Sequence, residues 1–167
     1  MPIRLCNVWF CPSKGHALSP TSYDELVTAD HPEPSDVVLV EREEVAVMYR
    51  VTDDNPEAMG RAWAELEAAV GLRGRKFFGA FHPSTGEYRV CVQLRDGDDP
   101  GALGLKVGVV PDGRYLRLRL EGEPPAVYQR IAPSFEALMK QAAPDPGRPS
   151  IEFYRRRDAI DLLLPVR

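Results

Sequence analysis

The chain has 167 residues, enough for one well-buried core and too few for two full-sized domains. Its 44% hydrophobic and 28% charged content is that of an ordinary soluble globular protein. A net charge of −4 argues against nucleic-acid binding, which needs a basic patch or stripe, so no direct nucleic-acid contact is expected.

Residues 1–36 read as an N-terminal extension. Ile3 to Cys11 has the makings of a short strand, and Pro12, Gly15, Pro20, Pro32 and Pro34 then mark loop. No pair of helices suited to a helix-turn-helix occurs there. From Val37 the signals sharpen. Val37-Val38-Leu39-Val40 starts a strand, and Val45, Val47, Tyr49 and Val51 then alternate at period two. Asp53-Asp54-Asn55-Pro56 is a helix start, with capping side chains followed by a proline whose missing N–H costs nothing. Met59, Ala62, Trp63, Leu66, Ala69 and Val70 give the helix one apolar face, and Gly71 and Gly74 end it. Strands follow at Lys76 to His82 and Tyr88 to Leu94, joined by the turn Pro83-Ser84-Thr85-Gly86.

An Asp- and Gly-rich linker near residues 96–104 leads to what reads as the same unit again. Val107 to Val110 opens it. Tyr115, Arg117 and Arg119 then alternate with Leu116, Leu118 and Leu120, which should face inward. A second helix carries Val127, Ile131, Phe135, Leu138 and Ala142 on one side, and Pro133 should kink or split it. Strands at Ile151 to Arg155 and Ile160 to Val166 finish the chain, with Arg155-Arg156-Arg157 at a solvated hairpin turn. In one register Trp63 falls on Phe135, Leu66 on Leu138, Phe81 on Phe153, and Tyr88, Val90 and Val92 on Ile160, Leu162 and Leu164. Ala80 of the first copy then corresponds to Glu152 of the second.

These elements predict an α+β fold built from a duplicated strand–helix–strand–strand module. About eight antiparallel strands should form the sheet, with two main helices on one face. The domain spans 37–167, with repeats at 37–95 and 106–167. Three cysteines are too few for a disulfide scaffold. Cys6 and Cys11 have no second pair to complete a zinc site, and Cys91 should pack as a small apolar residue. His16 and His31 have no second ligand nearby, so no metal is expected, and no cofactor motif occurs. Nothing reads as a signal peptide or membrane span, which makes a reducing cytoplasm the expected location.

Several segments together resemble the GyrI-like small-molecule-binding family, the effector-binding domain of AraC-type and MerR-type regulators. They are Val45-Ala46-Val47-Met48-Tyr49-Arg50, Ala62-Trp63-Ala64-Glu65-Leu66, Asp112-Gly113-Arg114-Tyr115, Glu121-Gly122-Glu123-Pro124, Pro149-Ser150-Ile151-Glu152-Phe153-Tyr154 and Leu162-Leu163-Leu164-Pro165-Val166. The resemblance covers roughly residues 36–167 and implies a duplicated fold with an aromatic cleft between its halves. Such a cleft binds hydrophobic, often cationic compounds, and Glu152 stands at the acidic position of the penultimate strand. Unlike the regulators, the chain is expected to carry no DNA-binding domain.

Glu152 is the central candidate. If Ile151 and Phe153 pack under one face of their strand, Glu152 and Tyr154 share the other. The functional reading is a partly desolvated counter-charge for a bound cation, and the bland one is a surface glutamate at a sheet edge. Tyr154, Tyr88, Trp63, Phe78 and Phe135 are the candidate walls. Trp63 and Phe135 also suit core positions, and Phe77, Phe78 and Phe81 cannot all face one way. His82 beside a turn reads as polar surface.

Three functions compete. The first is a stand-alone protein that senses or sequesters hydrophobic or cationic compounds, xenobiotics among them, as in multidrug binding. The second is a hydrolase of strained electrophiles such as cyclopropane-containing compounds, with Glu152 as general base and Tyr154 or Tyr88 assisting. The third, following relatives that inhibit DNA gyrase, is a gyrase inhibitor acting by protein binding.

Overall fold

The computed structural model describes residues 36–167. The expected strand at Ile3 to Cys11, with Cys6, Cys11, His16 and His31, lies outside the described residues. The eight expected strands are present, four in each copy, because the opening run of each module breaks into two. The first copy is β1 (Val38–Arg42), β2 (Val45–Asp53), α1 (Pro56–Val70), β3 (Phe77–His82) and β4 (Glu87–Gln93). The second is β5 (Lys106–Val110), β6 (Gly113–Glu121), α2 (Ala126–Gln129), α3 (Ile131–Gln141), β7 (Ser150–Arg156) and β8 (Ala159–Pro165).

Local chemistry accounts for the helix ends. The Asn55 side chain accepts a hydrogen bond from the Ala58 N–H at 2.9 Å, with Pro56 at the first helical position. Gly71, at φ 70°, closes α1 by donating to the Glu67 carbonyl. The second helix splits at Arg130 rather than at Pro133 itself. Proline crowds the carbonyl four residues back, which here belongs to Gln129, the last residue of α2. Pro133 therefore sits comfortably in the first turn of α3.

All strands pair antiparallel in one sheet of order β1-β6-β8-β7-β3-β4-β2-β5. The order is symmetric about the β7–β3 seam, with one exchange. β1 of the first copy completes the second copy's side, and β5 of the second completes the first's. The exchange forces the sheet to curl. Only Glu43 and Glu44 link β1 to β2, three backbone steps of about 3.8 Å, or about 11 Å at most. Those strands are six positions apart in the order, about 29 Å in a flat sheet. The link between β5 and β6, Pro111-Asp112, imposes the same closure, and the result is a half-barrel.

A curled sheet has two cores. Outside it, α1 packs with Met48, Tyr88, Val90 and Val92, while α2 and α3 pack with Leu118, Leu120, Ile160, Leu162 and Leu164. Leu66 and Leu138 lie at matching helix positions, both 0% exposed, and contribute about 2 kcal/mol each by burial. Inside the curl, Val47, Phe78, Cys91, Val110, Tyr115, Ile151 and Leu163 form a third cluster. Leu118 and Leu120 face a core as expected, yet Tyr115, earlier in β6 and on its opposite face, is equally buried, because both sheet faces are covered. Cys91 packs in the inner cluster, and burial pushes its thiol up to about 12.

One expected correspondence is off by a residue. Tyr88 and Ile160 are equivalent, since both face the helices in matching strands. Their partners across the hairpins, however, are Phe81 and Tyr154. Phe81 thus matches Tyr154 rather than Phe153, and Ala80 matches Phe153. The residue that corresponds to Glu152 is Gly79. The β7–β8 hairpin is shorter than β3–β4 and carries an irregularity between Tyr154 and Arg156, which absorbs the slip.

Candidate functional site

In β7, Ile151 and Phe153 point into the curl, and Glu152 and Tyr154 point toward the helices. Glu152 sits at the seam between the copies, where its cross-strand partner is Gly79. The two equivalent positions of the duplicated unit therefore face each other. One carries a carboxylate and the other no side chain.

The missing side chain is what lets the site assemble. A Cβ at residue 79 would overlap the Tyr88 hydroxyl and lie 2.8 Å from both Glu152 Oε2 and Tyr88 Cζ. The backbone at Gly79 needs no positive φ; the requirement is space alone. Through that space Tyr88 on β4 donates to Glu152 Oε2 at 2.7 Å, and Tyr154 donates to the same oxygen at 2.6 Å. Trp63 from α1 meets Tyr154 edge-on with centroids 5.1 Å apart, and Tyr128 from α2 meets it at 6.4 Å. Tyr154 packs against the outer cores of both copies and is the ring that joins them.

The group is nearly closed. Glu152 is 5% exposed, Tyr88 1% and Trp63 2%, whereas Tyr154 is only partly buried. No cation pairs with Glu152 among the described residues. Burial pushes its carboxyl above the usual range, and the hydroxyls of Tyr154 and Tyr88 oppose that only in part. Asp54, in the turn between β2 and α1, adds a nearby negative charge that raises Glu152 further. Asp54 is itself raised by burial, and its Oδ1 has no hydrogen-bond partner among the described residues. Burial and the neighbouring Glu152 lift both tyrosines well above 10, so they remain phenols and donors. The Trp63 indole N–H lies toward the Tyr88 hydroxyl without closing a hydrogen bond of normal geometry.

Of the residues expected in the cleft, Glu152, Tyr154, Tyr88 and Trp63 come together. Phe78 does not. It lies inside the curl, 1% exposed and stacked on Phe153 at 4.9 Å, because strand alternation sends it to the opposite face from its neighbour Gly79. Phe135 packs in the second copy's outer core, within the cluster that Tyr154 touches. His82 is half-buried at the end of β3, and burial followed by the charge of Arg89 lowers its pKa. Tyr128, Asp54 and Gly79 were not foreseen. Of these only Gly79 left a sequence signal, a glycine inside an otherwise bulky strand. Among the described residues no cluster of His, Cys, Asp or Glu is arranged to hold a metal.

The half-barrel of two exchanged copies agrees with the resemblance to the GyrI-like effector-binding domains at the level of the fold. No family model matches the sequence, and no curated protein matches it. Solved structures do. An integron cassette protein from the mobile metagenome of Vibrio cholerae superposes with a TM-score of 0.63 at 17% identity, over 80% of this chain and 97% of the other. SAV2435, solved bound to tetraphenylphosphonium, gives 0.55 at 15% identity, over 78% and 93%. The C-terminal domain of EcmrR gives 0.54 at 13% identity, over 78% and 96%. Among the described residues no helix is long and apolar enough to cross a membrane.

Proposed function

We propose that the chain binds small hydrophobic cations at the seam, with Glu152 as counter-charge and Trp63, Tyr88, Tyr128 and Tyr154 as walls. The observation that carries the reading is a carboxylate 5% exposed that receives two hydroxyl donors and no cation among the described residues. A buried carboxylate without a cation is costly, and a ligand cation supplies what the site lacks. The rings add cation–π attraction of about 1 to 2 kcal/mol once water is excluded. Entry requires Tyr154, the least buried of these rings, to swing away from Trp63 and Tyr128. That SAV2435, a similar fold, was solved with tetraphenylphosphonium supports the choice of ligand class.

The test is calorimetric titration of tetraphenylphosphonium into wild type and Glu152→Gln. The substitution keeps the shape and removes the charge. Weakening of tenfold or more, about 1.4 kcal/mol, is expected. Equal affinity for the two proteins removes Glu152 from the site.

A second reading uses the same carboxyl. Its raised pKa and two phenol donors suit a general base that takes a proton from water attacking a strained electrophile. Turnover of an activated cyclopropane-containing ester, lost in Glu152→Gln, would favour it. Binding of such an ester without turnover discards it.

A further inference from the structure

The face opposite Glu152 carries a second cleft, and its chemistry is of the opposite sign. It occupies about 490 Å³ at the end of the sheet nearest the β7–β8 hairpin, within the usual range for small-molecule sites. Arg75, Lys76, Arg119, Arg155 and Arg156 line it, with Phe153 between them. Glu121, Ala159 and Tyr154 complete the border. In a chain of net charge −4, this gathers five cations in one place.

The cations are held in position rather than scattered. Asp161, 0% exposed at the back of the cleft, accepts from Arg119 Nε at 2.7 Å and Nη2 at 3.1 Å. It also accepts from Arg155 Nη1 at 3.3 Å. A single buried carboxylate thus orients two guanidinium groups and neutralises one of them. Arg75 is fixed by a two-point contact to Asp98, at 2.7 and 2.8 Å. Lys76 has no ion pair among the described residues. Within the lining and its ion pairs, Asp98, Asp158, Asp161 and Glu121 stand against five cations, and Lys76 also borders an adjoining cleft lined by Glu41, Glu43 and Glu44. Arg119 Nη1 and Arg155 Nη2 make no hydrogen bond to protein among the described residues and remain available as donors.

Phe153 gives the cleft an apolar surface. Its ring is half-buried, stacked on Phe78, and flanked by Arg155 at 5.8 Å and by Arg42 at 5.4 Å. Fixed guanidinium groups beside an aromatic face recognise a planar anion, since they pair with an oxyanion through two parallel N–H donors while the ring covers the apolar body.

We propose that this cleft binds small aromatic anions, carboxylates or sulfonates, independently of the cation seam. Arg119 and Arg155 engage the oxyanion, Lys76 adds the unneutralised charge, and Phe153 stacks on the ring. The probe is 8-anilinonaphthalene-1-sulfonate, titrated by fluorescence into the folded full chain, with benzoate as competitor. Lys76→Gln and Arg155→Gln, both at exposed positions, should each weaken the probe at least fivefold and together at least tenfold, and benzoate should displace it. Glu152→Gln should leave its affinity within twofold. Unchanged affinity in the Lys76→Gln/Arg155→Gln double variant overturns the proposal. So does an equal loss in Glu152→Gln, which would put the probe in the seam. Because the seam reading is tested with tetraphenylphosphonium, either site can fail without the other.

Discussion

Substituting alanine for Gly79 tests whether the seam was built around a missing side chain. The new Cβ would overlap the Tyr88 hydroxyl and lie 2.8 Å from Glu152 Oε2. Tyr88 is 1% exposed and cannot simply rotate into solvent. It must leave its 2.7 Å hydrogen bond to Glu152, a loss of about 1.5 to 3 kcal/mol for a bond to an ionisable partner. Forcing a methyl group into a packed site adds about 1 to 3 kcal/mol. Alanine would otherwise be better than glycine in a strand by about 0.5 to 1 kcal/mol, which offsets part of the cost. The net expectation is a loss of about 2 to 5 kcal/mol in urea unfolding, with the slope against denaturant unchanged. Removing the hydroxyl first should relieve the severest overlap, while the contacts with the Tyr88 ring carbon and Glu152 Oε2 at 2.8 Å remain. In a cycle with Tyr88→Phe the double variant should therefore cost at least about 1 kcal/mol less than the sum of the singles. A Gly79→Ala protein within about 0.5 kcal/mol of wild type, the range of an inconsequential surface change, would refute the packing argument.

Protonated Glu152 carries no charge, so affinity for tetraphenylphosphonium should fall as pH drops through the raised carboxyl pKa, and Glu152→Gln should show no such dependence. The stability of the unliganded protein should run the other way. A carboxyl raised on folding gives its greatest relative stability below the ordinary value of 4.5 and loses it as pH rises through the folded value. Comparing the pH dependence of wild-type and Glu152→Gln melting isolates that contribution, and parallel profiles would deny it. Tyr154→Phe removes a 2.6 Å donor while keeping the ring, and should move the pH dependence of cation binding upward. An unmoved profile would show that this hydroxyl does not steady the carboxylate. For Asp161, burial works upward but the hydrogen bond and charge of Arg119, with Arg155, outweigh it and hold the carboxyl below its usual range. Its stabilising contribution is therefore present above the ordinary value of 3.8 and lost as pH falls through the lower folded one. Asp161→Asn should destabilise by about 2 kcal/mol, below the usual figure for a broken buried pair because Arg119 and Arg155 reach solvent. A change under 0.5 kcal/mol would show that the arginines are not held by this carboxylate.

Most of the elements, and the alternation of faces along β7, are legible in the sequence. Asn55 and Pro56 start a helix wherever they stand before such an apolar stripe, and Gly71 ends it. Strand alternation alone put Glu152 and Tyr154 on one side of β7 and Ile151 and Phe153 on the other. Duplication was legible because a repeated packing problem calls for a repeated apolar pattern. Periodicity, however, says which face a residue takes and never which residue it meets. The register between copies rested on helix and final-strand matches, and a shorter hairpin turn displaced β7 by one position. In a sheet that slip reverses every side chain. It turned an apparent Ala80–Glu152 correspondence into Gly79 against Glu152, and Phe78, next to Gly79, went to the inner face. Tyr128 and Asp54 reached the seam through the split helix and the β2–α1 turn, contacts made across long sequence separations. The exchange of β1 and β5 was likewise invisible, since each strand's own pattern is satisfied beside either copy. Only closure of the sheet through two-residue links selects the partner, and that closure is a property of the whole chain in space.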